Sequence, residues 1–260
     1  MTGKYELGTM TWAEAKEANL PEKVVLLPIG TTEQNGPACP LSIDTYISNY
    51  FAVEVARRTG SIAMPAIPYG CSAAFGGFAG TIWLEPSTLE AVVRDVARAC
   101  ARHGVKRFVA VNNHGPNQAA VETALRQVMR ETGMKTIGVW PGEITRKLAE
   151  EELKAHPEVL GHGGEPMTSL IMAIAPHTVR KDLAAESPQK HSAIGRFVVR
   201  NSVQSTFEGH PVRLYLDVDQ VSKTGQTGDP RGASAEFGQR LLDHLVAWGV
   251  DLVEELKRVW

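Results

Sequence analysis

Glu33 and His114 each follow a short apolar run by a few residues, and Asp44 stands where an amphipathic stretch begins. Two carboxylates and one imidazole make a donor set for a divalent ion, and Zn2+, Mn2+ and Fe2+ all accept that mixture. An ion held there with one coordination position open lowers the pKa of water from about 15.7 to roughly 7 and polarises carbonyls. Taken singly, each residue has a plainer reading. Glu33 would serve as a solvated turn residue, Asp44 as the cap of the following helix, and His114 as a turn histidine satisfied by local hydrogen bonds. Their joint placement is what points to a metal.

That placement depends on the elements around them. Val24 to Ile29 is an apolar run closed by Gly30 and followed by Thr31, Thr32 and Glu33. Phe108 to Val111 is another, followed by Asn112, Asn113 and His114. Both read as buried strands, and open α/β sheets bind ligands beyond the carboxyl ends of their strands, so the two polar turns converge on one crevice. Ile43, Ile47, Phe51 and Val55 repeat at helical spacing, predicting a helix that Asp44 opens and that runs to about Arg58, with a strand near Ile62 to Pro65 after it. Pro86 starts a helix ending near His103, and Ala120, Val121, Ala124, Leu125 and Val128 trace the next. Thr136 to Trp140 reads as a strand, Glu143 to Lys154 as a polar helix, Pro166 to Ala175 as a short apolar helix, and Phe237 to Leu256 as a long closing helix. Alternating strands and helices predict an α/β fold with a largely parallel sheet.

A chain of 260 residues fits one α/β domain, so residues 1–260 are expected to form a single unit. With 43% hydrophobic and 22% charged residues it can bury a full core, and no apolar run is long enough to span a membrane. A net charge of -2 without a Lys/Arg cluster argues against nucleic acid as partner and leaves a small molecule. Met1 to Leu20 carries charges in place of an apolar signal core, and Cys39, Cys71 and Cys100 form neither a disulfide framework nor a CxxC site, which predicts a reduced, cytoplasmic protein. Cys100 falls on an apolar helical stripe and reads as core, whereas Cys39 lies in the suspected site turn without a neighbouring base to activate it. Two Gly-rich loops, Gly70 to Gly80 and Gly161 to Gly164, have neither phosphate-binding form and are expected to wall a pocket. Residues 182–206 have no readable role beyond a possible excursion at a subunit contact.

The stretch from Pro28 to Pro37, with Pro40, Leu41 and Asp44, closely resembles the opening motif of the creatininase family. Ile67 to Gly70 with Gly77 to Ile82, then Asn113 to Asn117, then His162 to Glu165 with Thr168 and Ser169, resemble its later motifs in order, and Gly228 to Pro230 fits its C-terminal region. The resemblance covers most of the chain from about residue 20. It implies a three-layer α/β/α subunit, a homo-oligomer that is usually a hexamer, and a two-metal site that hydrolyses cyclic amides. This chain departs from the pattern at the second metal. Asn35 stands in place of a ligating histidine, and Pro116 or Met167 in place of a ligating carboxylate. The residues matching the first metal's ligands, Glu33, Asp44 and His114, remain. We therefore expect a single ion, Zn2+ or Mn2+ with Fe2+ also acceptable.

By the same resemblance His162 is expected to shuttle a proton to the leaving group, with Glu165 as a further ligand or acid–base group. Asn35, Asn113 and Asn117 are expected to line the substrate site, and Trp83, with Phe75 and Phe78, to close over a small ring. One ion suits an electrophilic substrate, so hydrolytic C–C opening of a cyclic diketone such as 3-dehydro-scyllo-inosose is slightly preferred. Cyclic amide C–N hydrolysis and a catalytically inactive binding homologue are the alternatives.

Overall fold

The computed structural model describes residues 4–154, 156–184, 192–199 and 203–260. Its helices and strands, in chain order, are α1 (Trp12–Glu17), β1 (Val24–Ile29), α2 (Ile43–Thr59), β2 (Ile62–Ala63), α3 (Pro86–Arg102), β3 (Arg107–Asn112), α4 (Gln118–Thr132), β4 (Lys135–Val139), α5 (Pro141–Glu152), α6 (Met167–Ile174), β5 (Ser192–Ile194), β6 (Phe197–Val199), β7 (Gln204–Phe207), β8 (His210–Arg213) and α7 (Ala235–Val259). Strands β1 to β4 make a parallel sheet in the order β2-β1-β3-β4, with Val24 to Ile29 paired in register against Arg107 to Asn112.

Every residue of β1 is buried, because a parallel strand covered on both faces has no solvent side on which polar residues would gain. The period of two then divides the core. Val25, Leu27 and Ile29 pack with Leu89, Val93 and Ala97 of α3 and Val121 and Val128 of α4. Val24 and Leu26 pack on the other face with Phe51 and Val55 of α2 and Leu245, Val246 and Val253 of α7. Helices on both faces give the expected three-layer α/β/α arrangement. A Cβ built on Gly249 of α7 would lie 2.5 Å from the Phe51 ring, so a glycine there is what lets α7 approach α2.

The strand expected at residues 62–65 has only two residues, Ile62–Ala63, and Pro65 beyond them has no N–H to extend a ladder. Residues 182–206, unreadable in sequence, contain much of a separate antiparallel sheet in the order β5-β6-β7-β8. Residues 185–191 and 200–202 of that stretch lie outside the described residues. No helix among the described residues is long and apolar enough to cross a membrane.

Candidate metal centre

The carboxyl ends of β1 and β3 lie side by side in the centre of the sheet, and the two turns leaving them supply the site. Gly30 ends β1 where α2 crosses: a Cβ at this position would lie 2.3 to 2.5 Å from Thr45 atoms, so glycine is required for the helix start to come so close. The chain then runs through Thr31 and Thr32 to Glu33, whose N–H donates to the Leu41 carbonyl at 2.8 Å. Asp44 lies in the first turn of α2. Ser42, not Asp44, occupies the N-cap position, which removes the capping role the sequence allowed for Asp44.

Instead the buried Asp44 carboxylate is fixed from both strands. Thr31 Oγ1 donates to its Oδ2 at 3.1 Å and Asn113 Nδ2 to its Oδ1 at 2.8 Å. His114 stands between the carboxylates, with Nδ1 3.3 Å from Asp44 Oδ2 and Nε2 3.4 Å from Glu33 Oε2. Asn112 holds the histidine backbone, accepting from its N–H and donating to its carbonyl.

Glu33, Asp44 and His114 each offer one donor atom, and the three atoms lie within 4.8 Å of one another. Glu33 Oε2 is buried and makes no hydrogen bond. Among the described residues neither carboxylate pairs with a lysine or arginine. A buried carboxylate without a cation is costly, and burial pushes the Glu33 pKa up to about 7, although His114 opposes that shift. At His114 burial disfavours the charge, yet the Glu33 and Asp44 carboxylates outweigh it and leave its pKa raised. A divalent cation would satisfy the orphaned oxygen and balance both carboxylates, so these residues fit a metal.

Around them lies a cavity of about 240 Å³. Both Gly-rich loops contribute to its wall, the first through Phe75 and the second through Gly161 and His162. The Phe75 ring stacks on His162 at 4.7 Å. His162 Nε2 is 2.7 Å from the Gln34 carbonyl and 3.2 Å from the Gln34 side-chain nitrogen; the shorter contact, to an oxygen that can only accept, favours the N–H on Nε2 and the Nδ1 lone pair toward Glu33, 3.9 Å from its Oε1. Burial lowers the His162 pKa, so the ring is neutral at pH 7. Glu165 lines the cavity with its Oε1 accepting from Ser169 Oγ at 2.6 Å, and burial raises its pKa. It stands outside the three-residue metal cluster.

Asn35 and Asn113 also line the cavity; Asn35 Nδ2 donates to the Glu33 carbonyl at 3.2 Å. Asn117 does not. It is fully buried behind the site, where it donates to the Gly30 carbonyl and to Asn112 Oδ1 and accepts from the Cys71 N–H, tying three loops together. Trp83, expected to close over a ring, is 42% exposed and absent from the cavity wall, because its ring packs over Gly76 on the outside of the loop. Cys39 Sγ lies 3.4 Å from Thr168 Oγ1 and burial raises its pKa, which works against a thiolate.

The sequence reading missed Trp140 and Arg146, both on the wall, whereas Pro116 and Met167, expected in place of a second-metal carboxylate, do line it. Trp140 Nε1 donates to the Asn113 carbonyl at 3.2 Å. It follows β4 directly, so the rule that located Glu33 and His114 also points to it. Gln34, whose carbonyl sets the His162 tautomer, was missed as well, since no spacing announces a backbone contact across 128 residues.

The family description "Creatinine amidohydrolase" matches residues 8–253. Creatinine amidohydrolase of Pseudomonas putida is 29% identical over 276 residues, covering 98% of this chain and 98% of that protein. Mycofactocin precursor peptide peptidase of Mycobacterium ulcerans (strain Agy99) is 30% identical over 255 residues, covering 93% and 87%. A 3-dehydro-scyllo-inosose hydrolase of Thermotoga maritima is 24% identical over 194 residues, 73% of this chain and 62% of that one. Among solved structures, a tryptophan-to-alanine variant of creatininase superposes with a TM-score of 0.82 at 26% identity, covering 98% and 99% of the two chains. Two further solved creatininases are described as a Zn-Zn type and as a Mn form.

Proposed function

The chain belongs to the creatininase family of hydrolases, and from that premise we propose that it cleaves small cyclic carbonyl compounds with one divalent ion, Zn2+ or Mn2+ with Fe2+ as a third candidate, held by Glu33, Asp44 and His114. The observation that carries the reading is the buried three-residue cluster, in which Glu33 Oε2 makes no hydrogen bond. A divalent ion in such a site supplies Lewis-acid polarisation of a carbonyl and a water more acidic than bulk water. Asn35 offers only a neutral amide and Met167 a thioether, so neither adds a carboxylate or imidazole ligand for a second ion, and this supports a single ion.

The chain's own residues perform the remaining steps. Thr31 and Asn113 hold the Asp44 carboxylate in place, as outer partners of metal ligands do. His162, neutral and anchored through Nε2, accepts a proton at Nδ1 and returns it to the leaving atom, while Phe75 fixes the plane of its ring. Glu165, whose pKa burial raises, lies on the cavity wall with its carboxyl held by Ser169, where it is placed to take part in acid–base chemistry.

Two reactions suit this arrangement. Relatives whose names specify amide or peptide cleavage match over 87–98% of their own length, against 62% for the inosose hydrolase, and this favours hydrolysis of a cyclic amide C–N bond. C–C opening of a cyclic diketone stays as the second reading because it leaves no amine to protonate and one ion suffices. The small antiparallel sheet, with Ile194 and Val198 exposed, supports the homo-oligomer, a hexamer by family resemblance, and three free cysteines suit a reducing cytoplasm.

Elemental analysis of protein purified without added metal or chelator tests the proposal. One equivalent that Glu33→Gln/His114→Ala loses is expected. Two equivalents would overturn the single-ion reading, and none would shift the assignment to a binding homologue. Released ammonia or amine identifies C–N cleavage; a nitrogen-free keto acid identifies C–C cleavage.

A further inference from the structure

Arg146 is the only lysine or arginine among the residues that line the cavity. It sits on α5, four residues after Gly142, and both face the cavity, as a spacing of four on a helix requires. Its side chain is 61% exposed and runs along α5 toward Glu150, while Trp140, Asn113 and Met167 fill the space over Gly142, so Arg146 stands at the rim of the cavity. Its Nε donates to Glu150 Oε1 at 2.8 Å, an exposed i,i+4 pair of the kind that exchanges readily for another acceptor. Its two Nη groups make no hydrogen bond among the described residues. The lining also includes the apolar side chains of Phe75, Pro116, Trp140, Pro166 and Met167.

Once a divalent ion balances Glu33 and Asp44, Glu165 is the one other carboxylate on the lining, and the Arg146 guanidinium is its one lysine or arginine cation. We infer that Arg146 determines specificity by pairing with a carboxylate carried on the substrate ring, so that the ring's carbonyl lies over the metal cluster and its carboxylate at the rim. A planar fork of N–H donors matches a carboxylate in two parallel bonds. A cavity of about 240 Å³ is below the range of about 300–1,000 Å³ typical for drug-sized ligands, which limits the substrate to one small ring with a short acidic arm.

This inference rests on the metal-hydrolase reading, and its test separates the two. Hydantoin-5-acetate and hydantoin-5-acetamide share ring and reach and differ in charge. Calorimetry on the zinc-loaded protein is expected to show the acetate binding about tenfold tighter than the acetamide. Arg146→Met should erase about that tenfold preference while leaving the acetamide affinity and the metal content unchanged, and Arg146→Lys should keep part of it. Equal affinities for the two rings in the wild type, equal losses of both in Arg146→Met, or no binding of either ring would overturn the inference. If the purified protein takes up no zinc, the hydrolase reading fails on that measurement. The charge preference and its dependence on Arg146 are then read on the same protein without metal.

Discussion

His162 shows how much a single backbone contact decides. An imidazole free to choose its tautomer would present N–H and lone pair to the cavity in a mixture, whereas the Gln34 carbonyl at 2.7 Å from Nε2 turns the lone pair of Nδ1 inward. His162→Ala is expected to lower kcat by roughly 10²–10⁴-fold on the substrate that product analysis identifies, with metal content unchanged. Near-normal kcat at saturating substrate would remove the proton-transfer role. Glu33 gives a pH prediction. Its pKa in the metal-free protein is raised from 4.5 to about 7, so within that window the folded state keeps a proton that the unfolded state has released. Metal-free stability therefore falls as pH rises through the window, while metal uptake requires the proton to leave and gains from the same rise. The raised pKa of His114 acts in the same direction. Added Zn2+ should raise Tm more at pH 8 than at pH 5.5; an equal shift at both would argue that these carboxyl and imidazole groups do not hold the ion.

At the scale of elements, the site depends on the crossing of β1 and α2. Gly30 allows the first turn of α2 to lie against the end of β1, which delivers Asp44 to within hydrogen-bond reach of Thr31. Gly30→Ala would place a methyl 2.4 Å from the Thr45 backbone nitrogen, so α2 must shift. We expect about 1–3 kcal/mol of destabilisation in urea unfolding together with loss of metal, since ligands that move by an ångström no longer converge. Full metal retention would show that the cluster tolerates movement of α2. β1 was legible as an unbroken apolar run stopped by Gly30, and α2 and α7 by apolar residues at helical spacing. The four short strands between residues 192 and 213 were not, since runs of three or four residues with few buried side chains carry little periodic signal.

For the whole molecule, the two faces of the parallel sheet share β1 and β3, so neither helical layer has a core without the other. We propose that the 260 residues unfold as one unit, with fluorescence and far-UV dichroism giving coincident transitions; two separated transitions would divide the chain into domains. Light scattering at six times the 28.2 kDa chain mass would support the hexamer, and a monomer would refute it.

The sequence by itself determined the α/β class and the family resemblance and pointed to Glu33, Asp44 and His114 as candidate ligands, because strand ends, apolar periods and short motifs are local properties of the chain. It could not exclude the cap role for Asp44, place Asn117 behind the site and Trp83 outside it, bring Trp140 and Arg146 to the cavity, or set Gln34 against His162. Those outcomes turn on contacts between segments far apart in the chain, such as Gln34 with His162 and Arg146 with the mouth of the metal cavity, and only the packed tertiary structure sets such distances.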